Sequence, residues 1–118
     1  MSQRRILVIE DDDSIRELMQ IVLMDEDYLV MAKPLMVQLS KDDLLPDLII
    51  LDNILRGQLG HDICLALKKD PLTSSIPIIL MSASNNLIET AESCKADAFI
   101  NKPFDIDELA SCVKLLLS

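Results

Sequence analysis

"RILVIEDDDSI", residues 4–14, decides how the rest of the chain is read. The aliphatic residues 6–9 run straight into Glu10, Asp11, Asp12 and Asp13, and nothing basic follows until Arg16. A strand that is apolar on both faces belongs in a covered, parallel sheet, since a half-exposed strand would alternate. Its acidic mouth then lies at the sheet's edge. Carboxylates crowded there repel one another and raise one another's pKa unless a cation joins them.

The same pattern recurs. "YLVM" (28–31), "DLIIL" (47–51), "PIILM" (77–81) and "AFI" (98–100) read as strands, separated by segments of helical period. A helix is expected over 14–27, with Ser14 and Glu17 spaced as a capping box. A second is expected over 34–43, opened by Pro34, although "PLMVQL" carries little polar patterning. Gly57 and Gly60, the only glycines, mark a loop before a helix over 60–69 that Pro71 ends. Helices over 85–94 and 105–117 complete the series, the last with Ile106, Leu109, Ala110, Val113, Leu116 and Leu117 on one face. Five strand–helix units with no linker, repeat or low-complexity tract make one domain over 1–118, an α/β fold with helices on both sheet faces. Right-handed crossovers bring every strand's carboxyl end to one edge, where the ligand crevice of an open sheet lies.

Composition narrows the function. Lys and Arg total 11 against 20 Asp and Glu, a net charge of −9, which argues against direct binding of nucleic acid or an anionic membrane. Cys64, Cys94 and Cys112 have no metal-ligand spacing and read as small apolar fillers in a reducing compartment. The opening "MSQRR" carries no secretory pattern and no apolar run reaches membrane-spanning length, so the expected location is cytoplasmic. His61 is the single histidine, read as an exposed first-turn residue, which leaves zinc and hydrolytic-triad chemistry without ligands. No GxxxxGK[ST] loop is present for nucleotide phosphates.

Polar residues follow four of the five strands. Glu10 and Asp11 end the first, Asp52 the third, Ser82 the fourth and Lys102 the fifth. Clustered carboxylates suit Mg²⁺, a hard cation that takes one or two of them plus phosphate oxygen, with Asp12 and Asp13 turning away into the loop and first helical turn. Lys102, held between a strand and Pro103, would pair with a carboxylate or a transferred anion. Cation, ammonium and hydroxyl around one carboxylate can stabilise the oxygens of a migrating phosphoryl group, with Asp52 as nucleophile.

"ILVIEDD", "PDLIILDNILRGQLG", "IPIILMSAS" and "AFINKPF" resemble, in order and spacing, the four signatures of bacterial response-regulator receiver domains, over about residues 4–117. The resemblance implies a flavodoxin-like (βα)5 three-layer sandwich with parallel sheet order 2-1-3-4-5. It implies phosphotransfer from a sensor histidine kinase or histidine phosphotransfer protein in a two-component phosphorelay. Carried over by position, Asp52 is the phosphoacceptor and Asp11 a direct Mg²⁺ ligand, with Mn²⁺ able to substitute. Glu10 would act through water, and Ile54 would give a backbone carbonyl. Ser82 would bond the phosphoryl oxygen, Lys102 is the family's lysine with a cis bond to Pro103, and Phe99 holds the aromatic switch position. Arg56, Leu59 and Lys95 depart from the pattern; Lys95 stands where a helix-ending glycine is usual, so a left-handed conformation there would cost about 1 kcal/mol.

Two function classes follow. One is a switch that catalyses only its own phosphorylation and dephosphorylation and is otherwise no enzyme. In it Ser82 moves inward, Phe99 rotates toward the core, and the surface of the fourth helix, fifth strand and fifth helix changes. The other is a constitutive protein-interaction module that keeps the acidic crevice without phosphotransfer. No output domain is visible in the chain, which points to a downstream protein target or an output domain elsewhere. Cys112 and Leu115 on the outer face of the last helix suggest a monomer or weak dimer. Ile54 and Ser84 offer little to orient an attacking water, so self-dephosphorylation is expected to be slow.

Overall fold

A computed structural model describes residues 3–40, 44–83 and 87–118. A five-stranded parallel sheet runs β2–β1–β3–β6–β7, from β1 (Arg5–Ile9), β2 (Leu29–Lys33), β3 (Leu48–Asp52), β6 (Ile78–Ser82) and β7 (Ala98–Asn101). Counted along the chain, these sheet strands lie in the expected order 2-1-3-4-5. β4 (Ile54–Leu55) and β5 (Gln58–Leu59) form a small separate hairpin whose turn places Gly57 at φ +73°, a conformation that favours glycine. The helices are α1 (Asp13–Asp25), α2 (Gly60–Lys69), α3 (Leu87–Ser93) and α4 (Ile106–Leu117).

Alternation along the doubly buried strands separates two cores. Leu48 and Ile50 face α1 and α4 with Ile6, Val8, Ile79 and Met81; Ile49 and Leu51 face α2 and α3 with Leu7, Ile9, Ile78 and Leu80. Burial on both faces is what an all-parallel sheet requires.

Three local expectations are corrected. The helix expected over 34–43 is absent over 34–40, and residues 41–43 lie outside the described ones. Residues 36–39 run without helix, and Met36 is held by Gln58, whose Oε1 accepts from the Met36 N–H at 3.1 Å and whose Nε2 donates to its carbonyl at 3.4 Å. With β-branched Val37 and no charged pair at helical spacing, this stretch gains more from a side-chain clamp than from its own turn. Second, α1 is capped by Asp12, whose Oδ1 accepts from the Ile15 N–H at 2.9 Å, and not by Ser14. Third, Cys112 packs against the α1–α4 core, which leaves Leu115, 75% exposed, on the outward side of α4, and Ile106, expected on the core face, is 47% exposed at the start of the helix. Helix α3 begins at Leu87; residues 84–86, including Ser84 and the first two positions of the helix expected over 85–94, lie outside the described ones. No helix among the described residues is long and apolar enough to cross a membrane.

Candidate functional site

Each strand end contributes one or two groups to a single crevice, because parallel strands finish on one edge. Carboxylate oxygens of Glu10, Asp11 and Asp52 lie within 4.8 Å of one another. The Lys102 Nζ pairs with Glu10 Oε1 and lies 3.1 Å from Asp52 Oδ1. Glu10 is 2% exposed and Asp52 7%. Ser82, equally buried, ends β6, and its carbonyl accepts from the Lys102 N–H at 3.0 Å, so main chain ties the hydroxyl's residue to the lysine's. The Lys102–Pro103 peptide is cis.

The opening acidic run is dispersed by the fold. Asp12 caps α1; Asp13 pairs with Arg16 at 2.6 Å, and Arg16 also donates to the Glu10 carbonyl at 2.9 Å. Only Glu10 and Asp11 are left to the crevice. Both Glu10 oxygens are engaged, Oε1 by Lys102 and Oε2 by the Asp12 N–H at 3.3 Å.

Three carboxylates facing one ammonium leave an excess of negative charge. Burial pushes the Asp52 carboxyl up to about 6; Lys102 holds it lower than burial alone would, while Glu10 and Asp11 add to the rise. Burial pulls the Lys102 amine down, but its hydrogen bond to Glu10 and the charge of Asp52 outweigh that, and the net direction is upward. An all-oxygen donor set with surplus negative charge has the chemistry that a hard divalent cation takes. The cluster therefore fits Mg²⁺.

Ile54 lies at the start of the hairpin, not in the main sheet. The Gly60 N–H donates to the Asn53 carbonyl at 2.7 Å. Ladder alternation then makes Ile54 and Leu59 the non-bonded pair, so the Ile54 carbonyl points away from β5. Phe99 is 38% exposed and faces the side of β7 opposite buried Ile100. Lys95 ends the turn after α3 at φ +65°, as its position in place of a glycine implied.

Other contributors escaped the sequence. Asn53 receives the His61 N–H on Oδ1 at 3.0 Å and so caps α2 from outside its own segment, where Leu59 offers no side-chain bond. A Cβ on Gly60 would sit 2.4 Å from the Asp52 carbonyl oxygen, so only glycine lets α2 start against the end of β3. His61 stands in the first turn of α2 as expected but is only partly exposed, and its Nε2 lies 2.8 Å from Ser93 Oγ. The polar type of Asn53 was a usable signal; the pairing of His61 with Ser93, 32 residues away, had none.

Residues 6–114 match the family described as the response regulator receiver domain. The DNA-binding response regulator MtrA of Mycobacterium tuberculosis is 34% identical over 119 residues, covering 98% of this chain and 51% of MtrA. The chain thus spans about half the length of the first curated relatives it matches. The receiver domain of a signal transduction histidine kinase from Syntrophus aciditrophicus superposes with a TM-score of 0.82 at 30% identity, over 97% of this chain and 89% of that one. The NtrX receiver domain of Brucella abortus gives 0.78 at 29% identity, over 95% and 97%. The sheet order is that of the flavodoxin-like fold. By this match across its length, the chain belongs to the response regulator receiver family.

Proposed function

We propose that this receiver is a phosphorylation-operated switch with Asp52 as phosphoacceptor. The observation that carries the reading is the convergence of the Glu10, Asp11 and Asp52 carboxylates within 4.8 Å, with the Lys102 ammonium 3.1 Å from Asp52. The donor is a phosphohistidine on a sensor histidine kinase or phosphotransfer protein. An Asp52 carboxylate oxygen attacks phosphorus, the O–P bond forms, the P–N bond breaks, and the leaving imidazole nitrogen takes a proton.

Asp11 and Asp52, with the Ile54 carbonyl, would hold Mg²⁺ or Mn²⁺ directly, and Glu10 through water; the full use of both Glu10 oxygens supports that indirect part. When bound, the cation supplies positive charge against the phosphoryl oxygens. Lys102 offers its ammonium to the same oxygens, at a position already fixed by Glu10. Ser82 bonds a phosphoryl oxygen from the end of β6. Phe99 then turns from its exposed position toward the core, altering the surface formed by α3, β7 and α4. The domain catalyses its own phosphorylation and dephosphorylation only. Its output is a changed partner: a downstream protein, or an output domain like those of longer regulators.

Acetyl phosphate with Mg²⁺ tests the reading. Mass spectrometry is expected to find one added phosphoryl group, absent in Asp52→Ala and strongly reduced in Lys102→Ala. No uptake by the wild type from acetyl phosphate or from a cognate kinase would leave a constitutive interaction module instead.

A further inference from the structure

Arg16 lies near the start of α1, where its N–H donates to the Asp12 carbonyl at 2.9 Å. Its side chain runs back over the loop that leaves β1. Nη1 donates to the Glu10 carbonyl at 2.9 Å and Nη2 to Asp13 Oδ1 at 2.6 Å. A cation near a helix N-terminus opposes the helix dipole, so helix stability does not account for an arginine here. Nor does the ion pair, since the Asp13 side chain is 90% exposed and such pairs contribute little. The Arg16 side chain is itself only 21% exposed, and its bond to the Glu10 carbonyl is part-buried. That bond is the contact with consequences.

The Glu10 carbonyl and the Asp11 N–H belong to one planar peptide unit. Holding that carbonyl therefore sets the plane from which the Asp11 side chain departs. On the other side, the Glu10 N–H is tied to the Lys33 carbonyl at 3.0 Å. Three of the four acidic residues have partners of their own: Glu10 has Lys102, Asp12 has the Ile15 N–H and Asp13 has Arg16. The Asp11 carboxylate has no hydrogen bond or ion pair among the described residues, although it lies within 4.8 Å of Glu10 and Asp52. Main chain alone aims it.

The charges that act most strongly on Asp52 are Lys102, Glu10 and Asp11, and Arg16 is not among them. Its influence on the crevice passes through the loop. We propose that Arg16 is a positioning residue for the divalent cation: by fixing the Glu10–Asp11 peptide and drawing Asp13 outward, it aims Asp11, alone of the three aspartates, into the crevice. Arg16 acts in this way only if the crevice takes Mg²⁺, as the phosphotransfer reading requires.

Positioning and charge predict opposite signs. As a nearby positive charge, Arg16 would repel a cation, and its removal would tighten binding. As a positioning residue, its removal weakens binding. Titration of the whole chain with Mg²⁺, without phosphodonor and followed by amide NMR shifts, reads the sign. Arg16→Met keeps most of the stem and is expected to bind Mg²⁺ about three- to tenfold more weakly, the scale of one hydrogen bond. Arg16→Lys keeps the charge but not the two-pronged fork, so it should fall between Arg16→Met and the wild type, and it carries the comparison if Arg16→Met folds poorly. A second readout needs no cation: ¹⁵N relaxation should show residues 11 and 12 more mobile in Arg16→Met while α4 is unchanged. Equal or tighter Mg²⁺ binding in both variants overturns the proposal, as does a loop that stays equally ordered without the guanidinium. A wild type that binds no Mg²⁺ overturns it as well, but through the reading of the crevice, which that first titration tests before any Arg16 variant is made.

Discussion

The two faces of the sheet are covered by different means. On one, α1 and α4, of 13 and 12 residues and each with a side-chain cap, lie over Ile6, Val8, Ile50 and Ile79. On the other, α2 has 10 residues, α3 has 7, and the place of a further helix is taken by a strap of irregular chain, residues 36–39. Strand β2 displays the contrast within five residues. Val30 and Ala32 pack against the α1–α4 core, whereas Leu29 and Met31, on the opposite side, stay 46% and 56% exposed. Apolar strands do not require helices over every residue. Irregular chain also serves where a side chain such as Gln58 satisfies its backbone groups.

The contrast is broken most directly by truncating one leucine on each face. Leu109, fully buried on the inner face of α4, is expected to lose about 3–5 kcal/mol as Leu109→Ala, since both transfer and cavity costs apply. Leu39, half-buried in the strap, should lose about 1 kcal/mol as Leu39→Ala, because little cavity forms at a site open to water. Urea denaturation measures both. Equal losses would mean that the strap packs as tightly as a helix.

At the edge that both faces share, the crowded carboxylates set a pH dependence. The folded Asp52 titrates near 6, above its ordinary 3.8, so the folded state binds this proton more tightly than the unfolded chain does. Its contribution is complete below the unfolded value and is lost as pH rises through about 6. Without divalent cation, Tm should fall by a few degrees between about pH 5 and 7.5. Asp52→Asn should flatten that slope and be the more stable protein at the upper end, and Mg²⁺ should restore the wild type there. A wild-type slope that persists in Asp52→Asn would assign it to other groups.

A smaller effect belongs to the more thinly covered face. Lys95 sits at φ +65° after the short α3. Lys95→Gly should stabilise by about 0.5–1 kcal/mol, since glycine adopts this conformation without a Cβ clash, less what it loses in unfolded-state entropy. A loss on this substitution would mean that the lysine side chain makes up for its backbone.

What could be read in the sequence followed the same division. Doubly apolar strands and the long helices of the α1–α4 face are periodic, so their order and layers were legible, as were the residues that parallel strands deliver to one edge: Glu10, Asp11, Asp52, Ser82 and Lys102. The Lys95 strain was legible too, because it needs only a position and a missing glycine. Illegible were contacts that depend on tertiary approach. Asp12 took the cap from Ser14 because the chain turns out of β1 immediately. Asn53 caps a helix that begins seven residues later, and the His61 ring meets a serine on another helix. The strap failed as a prediction because the mostly apolar residues 35–39 fit a helix and an irregular cover equally well until Gln58 is in place.

Gln58 gives the smallest and most specific test of the two modes of cover. Its amide makes both hydrogen bonds that fix Met36, at 3.1 and 3.4 Å, and the longer is weak. Gln58→Ala removes both at a half-buried site where water replaces them, so the loss should be only about 0.5–1 kcal/mol. The Met36 amide should nevertheless exchange much faster, since its protection rests on this one acceptor, while amides of α1 and α4 keep their rates. Phosphoryl uptake at Asp52 should be unchanged, because the Gln58 side chain bonds Met36 and takes no part in the contacts among Glu10, Asp52 and Lys102. If Met36 kept its protection in Gln58→Ala, burial of Met36 and Leu39 against the core would by itself hold the strap. Its likeness to a helix as cover would then rest on packing, with no part for the backbone bonds.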